Sequence, residues 1–181
     1  MDQSTINGLI VLSKRNDEKA FRKIVEYYQS MVYSLAFRIL CNEEDAKDLV
    51  QETFIRVWQH LSSFDRNRKF STWLYKIATN LCLDKLKSSK RNFQNTSMED
   101  TLTNFINSED IEQTIINSEL AKIIYDLTNE LTPKQKIVFT LRHLEELEVD
   151  EIVEISGMSA DKIKSNLFLA RQTIRRKLEK F

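Results

Sequence analysis

Apolar residues recur at helical spacing along almost the whole chain, so the pattern predicts helices throughout. A short helix is expected over Ile6 to Lys14, and Asn16-Asp17 is placed to cap the next one. In that second helix Phe21, Ile24, Val25 and Tyr28 make one face, continuing through Met31, Leu35 and Ile39. Asn42 is placed to cap a third, whose apolar positions are Ala46, Leu49, Val50, Phe54, Val57, Trp58 and Leu61. SSFDRNRKF is a polar break. Ser71 or Thr72 then caps a helix expected to run to Ser88 or Arg91, with Phe70, Trp73, Leu74, Ile77, Ala78 and Leu81 on its core stripe.

The periodicity lapses in RNFQNTSMEDTLTNFINSED, which is rich in Asn, Thr, Ser and acids and reads as a linker. It divides the chain into units of roughly ninety and seventy residues, each small enough to have a marginal core. A helix is expected from Asp110 to Leu131. ELTPKQK follows as a helix start: Thr132 at the N-cap, Pro133 at the first helical position, Gln135 completing a capping box. That helix should end near His143. VDEIVEI is then a short amphipathic helix with Ile152, Val153 and Ile155 inward. Gly157 supplies a left-handed turn, Met158 plugs the core, and Ser159 caps a longer helix expected to bury Ile163, Leu167, Ala170, Ile174 and Leu178. Short helix, glycine turn, basic helix is the helix-turn-helix pattern.

Composition narrows the fold class. Two glycines and one proline are too few for the tight turns of a β-rich fold, so the chain is expected to be all-α. Its architecture reads as two small helical domains joined by a flexible acidic linker, the second containing the helix-turn-helix. Cys41 and Cys82 lie far apart in apolar contexts, and with His60 and His143 they form no metal-ligand spacing. They read as two small buried thiols, with no metal or other cofactor expected. No stretch is long and apolar enough to span a bilayer, and the N-terminus has no signal-peptide pattern. A soluble, cytoplasmic protein is expected. Neither a phosphate-binding glycine loop nor a nucleophile–base spacing is present, so no enzyme activity is expected. The acid clusters Glu43-Glu44-Asp45 and Glu145-Glu146 fall where helices start or connect, where dipole and solvation roles account for them.

The formal net charge is zero, yet the charges are segregated. Residues 61–91 carry eight cations against two acids, residues 92–130 one cation against eight acids, and residues 162–181 seven cations against one acid. Two basic patches, each closing a helical unit, point to a polyanionic partner. On DAKDLVQETFIRVWQHL, Asp45, Asp48 and Glu52 share one side, with Arg56 a turn further on. That stripe is either a solvated face or a docking surface for a basic protein. At the start of the fourth helix Lys69, Ser71, Thr72, Tyr75, Lys76, Thr79, Asn80 and Lys87 lie off the core stripe. A helix N-terminus bearing hydroxyls and lysines suits phosphate. Tyr75 and Asn80 suit an unpaired base, by stacking and hydrogen bonding.

DAKDLVQETFIRVWQHL, then KFSTWLYKIATNLCLDKLKSSKR, then LTPKQKIVFTLRHLEELEVDEIVEISGMSADKIKSNLFLARQTIRRKL together resemble the extracytoplasmic-function sigma factors of bacterial RNA polymerase, in the family's order and spacing. The resemblance implies region 2 over residues 1–91, a linker over 92–109 and region 4 over 110–181. It implies docking on the β′ clamp helices through Asp45, Asp48, Leu49, Gln51, Glu52 and Phe54, beside Arg56. It implies contact with the melted −10 strand through Lys69, Phe70, Ser71, Thr72, Tyr75, Lys76, Asn80 and Asp84, with Lys87 nearby. In the −35 major groove it places Lys162, Lys164, Ser165, Asn166, Phe168 and Arg171, with Arg175 and Arg176 as backbone anchors.

The partners so implied are core polymerase (β′ and β subunits), promoter DNA and, as in many members, an anti-sigma protein; no membrane insertion of its own is implied. The acidic linker would thread into the polymerase near the RNA path. In the free chain it is expected to lie against both basic faces. Two departures stand out: KIKSN and LFLAR replace the family's frequent TVKSR and LHRAR. Asn166 in place of an arginine favours adenine over guanine. Phe168 either contacts a thymine methyl or caps the core. The competing reading is a stand-alone helix-turn-helix regulator of duplex operators.

Overall fold

The computed structural model describes residues 1–92, 119 and 122–179, and every regular element among them is helical. Helix α1 spans Gln3–Ser13, α2 Glu18–Leu40, α3 Glu43–His60 and α4 Phe70–Asn92. Helix α5 covers 122–128, α6 Pro133–Phe139, α7 Val149–Ser156 and α8 Ala160–Leu178. The linker expected over residues 92–109 falls, from residue 93 onward, outside the described residues, as does most of the helix expected from Asp110.

Side chains cap the helices where the pattern placed them. Asp17 accepts from the backbone of Ala20, Asn42 from Asp45 and Ser159 from Lys162. Thr132 and Gln135 complete their capping box, Thr132 N–H donating to Gln135 Oε1 at 2.9 Å. Such caps contribute about 1 kcal/mol each. Gly157 ends α7 at φ 68°, a left-handed conformation that costs glycine nothing. Cys41 does the same job at the end of α2 with φ 54°, its N–H donating to Phe37 O at 2.8 Å. Helix α4 starts at Phe70, one or two residues ahead of the expected caps. The helix begun at Pro133 closes in a π-helical turn, Thr140–Leu144, ending near His143 as expected.

The two units do not keep separate cores. One continuous apolar cluster runs from Ile6 and Ile10 through Leu35, Phe70 and Leu74 to Ile137, Leu141, Ile152, Ile155 and Ile163. Helix α4 lies between α2 and α3 on one side and α6 and α7 on the other. Sharing one interior answers the problem that each unit alone is too small to bury much surface. Leu178, expected inside, is 56% exposed at the last residue of α8. Its last turn is held to the α5 end, where Lys177 donates to Asn129 and Arg176 pairs with Glu130 at 3.0 Å.

Candidate functional site

The α3 surface is acidic and apolar together. Leu49 and Phe54 are buried and hold the helix, which turns Asp48 and Gln51 to solvent. Asp45 pairs with Lys85 of α4 at 2.8 Å, and Glu52 with Arg56 at 2.8 Å. Periodicity overlooked Ile55, which stands 51% exposed on the same face. Its signal was an apolar residue off the core stripe. Beside it an open groove of about 380 Å³ is lined by Phe21, Phe54, Ile55 and Trp58 with Glu18, Gln51 and Gln59.

The start of α4 is organised by an aromatic cluster. Phe70 is fully buried, its ring 5.3 Å from those of Tyr28 and Phe64 and 5.7 Å from Trp73. Ahead of it Asp65 turns the loop by accepting from Asn67 N–H at 3.0 Å. Lys69, Lys76, Asn80, Asp84 and Lys87 are exposed and Ser71 is half-buried, whereas Thr72 and Tyr75 are buried. Lys87 and Asp84 approach each other at 3.8 Å.

Tyr75 is covered by the second half of the chain. Its hydroxyl donates to Glu145 Oε2 at 2.8 Å, and Arg38, at the end of α2, donates to Glu145 Oε1 at 2.7 Å and to Leu144 O at 2.6 Å. Glu145, expected to be a solvated connector, leaves only 7% of its side chain exposed. The reason is this shared pair of donors, invisible at separations of 70 and 107 residues. Burial, then the Glu145 carboxylate, pushes the Tyr75 phenol well above its ordinary range, so it stays a donor.

Two further pairs extend along α7: Lys69 with Glu151 at 3.3 Å and Arg68 with Glu154 at 3.0 Å. Glu151 also caps α7 by accepting from Glu148 N–H at 3.1 Å. That backbone donor first, and Lys69 second, hold its carboxyl below the usual range. A buried lysine sits at the same seam, Lys136 Nζ lying 3.5 Å from Cys41 Sγ. Burial raises both thiols, Cys82 to about 12. Among the described residues no group of three His, Cys, Asp or Glu could hold a metal ion.

Helix α8 turns a basic side outward, on which Arg175 and Arg176 pair with Glu179 and Glu130 at 3.3 and 3.0 Å. Lys162, Lys164, Ser165, Arg171, Arg175 and Arg176 are exposed. Asn166 is half-buried and donates to Lys162 O at 2.7 Å. Phe168 is 59% exposed, which removes the core-capping alternative. Leu169, 43% exposed, stands next to it on the outward surface. His143 packs on Phe139 in the π-helical turn, and partial desolvation, then Arg171 and Arg142, hold its imidazole below the ordinary range.

Comparison with known proteins finds two family regions along the chain. The Sigma-70 region 2 family matches residues 24–92, and the Sigma-70 region 4 family matches residues 121–174. The chain is 34% identical over 172 residues to the ECF RNA polymerase sigma factor SigW of Bacillus subtilis, covering 91% of this chain and 92% of the relative. It is 32% identical over 188 residues to the ECF RNA polymerase sigma-E factor of Haemophilus influenzae, covering 98% and 97%. In fold it is similar to CnrH in complex with the cytosolic domain of CnrY (TM-score 0.70, 21% identity, 98% of each chain). It is also similar in fold to the sigma factor RpoE in complex with the anti-sigma factor NepR from Bartonella quintana (TM-score 0.64, 20% identity, 89% of this chain and 98% of that one). With both regions present in order and relatives above 30% identity over nearly its whole length, this chain belongs to the extracytoplasmic-function sigma factors of the sigma-70 family.

Proposed function

We propose that this sigma factor works through three faces: α3 on core polymerase, the start of α4 on the melted −10 strand, and α8 in the −35 duplex. As a sigma factor it is a non-enzymatic specificity subunit that binds RNA polymerase core and directs promoter recognition, melting and initiation. Residues 1–91 form the unit for polymerase and the −10 element, 92–109 the connection, and 110–181 the unit for the −35 element. Asp45, Asp48, Gln51, Glu52 and Arg56 present charge that orients a basic partner and speeds its arrival. Leu49 and Phe54 hold that face from beneath, and Ile55 adds apolar area to it.

On α4, Lys69, Lys76 and Lys87 track phosphates, Ser71, Thr72, Asn80 and Asp84 offer hydrogen bonds, and Tyr75 stacks on a base, with Phe70 fixing the helix start. Reaching Tyr75 requires the second half to move off it. On α8, Lys162, Lys164, Ser165, Asn166, Phe168 and Arg171 read the major groove while Arg175 and Arg176 hold the backbone. The protein acts in the cytoplasm, beside polymerase and DNA; no described helix is long and apolar enough to cross a membrane. An anti-sigma protein is a further proposed partner, as one is for the RpoE neighbour.

The observation that carries the reading is that the α3 face and the basic α8 face are both exposed on one chain matching both family regions. A stand-alone operator binder has no use for the first. Co-purification with core polymerase followed by run-off transcription tests it. Promoter-specific transcripts that need both the chain and core are expected. Tight duplex binding as a dimer, with no transcript and no polymerase capture, would overturn it.

A further inference from the structure

The seam between the halves has a charge arrangement that the three faces above leave unexplained. Glu145, Glu151 and Glu154 each sit on a cation of the first half: Arg38, Lys69 and Arg68 respectively. Helix α7 itself, VDEIVEIS, carries acids and no cation. Ile152 and Ile155 bury its inner side, which sets Glu151 and Glu154 along the edge of the contact. A row of carboxylates over an aromatic and several cations has the charge pattern of a phosphate backbone over a single-strand groove.

Arg38 distinguishes this from an ordinary interface. Both of its hydrogen bonds within the described residues, to Glu145 and to Leu144 O, reach into the second half. The hydroxyl of Tyr75 likewise has Glu145 as its partner. When the second half leaves, a guanidinium and a phenol that held one carboxylate stand side by side with neither partner remaining. Arg38 exposes 37% of its side chain, so an incoming anion can approach it before its bonds to Glu145 and Leu144 O are given up.

We propose that the stretch from Glu145 to Glu154 is an intramolecular stand-in for the melted strand, its carboxylates occupying phosphate positions, and that Arg38 is a strand-binding residue of the open form. This rests on the reading of α4 as the −10 face. Strand and α7 then exclude each other, and since α7 is the first helix of the helix-turn-helix, strand binding releases the −35 unit from the −10 unit. The coupling is reciprocal: whatever draws α7 away raises affinity for the strand by the same factor.

The test uses the full-length protein and a short fluorescein-labelled single-stranded DNA of randomised sequence, followed by anisotropy at fixed salt. Glu145→Gln, Glu151→Gln and Glu154→Gln combined are expected to tighten binding by about tenfold or more, by removing the competing anions. A control neutralising the exposed first-half acids Glu18, Glu26 and Glu44 changes net charge equally and is expected to gain far less. Adding Arg38→Ala to the seam triple should return most of the gain. An equal gain in the control, or no loss on adding Arg38→Ala while Tyr75→Ala and Lys76→Ala still weaken binding, overturns the inference alone. If Tyr75→Ala and Lys76→Ala also change nothing, the −10 reading of α4 falls with it.

Discussion

Tyr75→Phe removes a single oxygen from the seam and leaves the ring in place. The phenol can then no longer donate to Glu145, a 2.8 Å hydrogen bond to a carboxylate whose side chain is 7% exposed. A hydrogen bond to a charged group contributes about 1.5–3 kcal/mol. Arg38 keeps its hold on the same carboxylate at 2.7 Å, and its guanidinium is 37% exposed, so the low end applies, about 1.5 kcal/mol. At about 1.4 kcal/mol per factor of ten, the closed-to-open ratio should fall roughly tenfold.

Cys41 reports that change. It lies under the seam, 5% exposed, with its sulfur 3.5 Å from Lys136 Nζ and its thiol pushed up by burial. In a Cys82→Ala background the rate of labelling by an aromatic disulfide reagent follows the open population, provided reclosing outpaces labelling. Labelling about ten times faster is expected in Tyr75→Phe. Run-off transcription by the reconstituted holoenzyme should stay within about twofold, because phenylalanine stacks on a base as tyrosine does. An unchanged labelling rate, with far-UV circular dichroism also unchanged, would refute the idea that this hydrogen bond holds the halves together.

Thr79 Oγ1 is buried and finds no partner among the described residues, so Thr79→Val should raise stability by about 1 kcal/mol, read as a higher denaturant midpoint at constant m-value. The folded-state pKa of His143 is depressed, so its contribution is complete above the unfolded value of about 6.5 and is lost as pH falls below it. His143→Gln should therefore flatten the decline in melting temperature between about pH 7 and pH 5; an unaltered slope would place the titration elsewhere. Ile55→Ala should weaken capture of core polymerase about fivefold, since a half-exposed isoleucine can still bury roughly 1 kcal/mol of apolar surface, while thermal unfolding stays the same. Asn166→Arg should shift selected −35 sites toward guanine at one base pair; identical selected sites from both proteins would count against its role as a base reader.

Local rules made much of this fold legible. The Thr132 capping box, the Gly157 turn and the Asp17, Asn42 and Ser159 caps all involve partners within a few residues, where the chain's own chemistry decides the outcome. The outward side of α8 was readable for the same reason. Period alone marked Ile163, Leu167 and Ala170 as inward. What period cannot specify is which surface an apolar stripe will bury against. The stripes of α4, α6 and α7 meet one another, so two expected cores became one. Thr72 and Tyr75, off the core stripe of α4 by spacing, are buried all the same. Glu145 was unreadable for a stronger reason: an acid in EELEVDE looks solvated unless its donors, Tyr75 and Arg38, are known to lie beside it.

The mixed character of that seam bears on how it can open. An interface closed only by Ile152, Ile155 and their neighbours would reopen at the full cost of exposing apolar surface, about 25 cal/mol per Å². Adding carboxylate–cation pairs contributes little net stability: Lys69–Glu151 and Arg68–Glu154 are exposed and screened by solvent, and the desolvation of Glu145 offsets much of its attraction to Arg38. Their consequence is selectivity. Each pair on the seam can be exchanged for a pair with an incoming polyanion, so a phosphate backbone recovers contacts that water alone would recover less well. A seam built this way is held in the absence of nucleic acid and is weakened most by the ligand that needs the surface beneath it. The basic side of α8, outside the seam and exposed throughout, is free to meet duplex DNA before the halves part. That order, −35 contact first and strand capture second, follows from which cations the second half covers and which it leaves open.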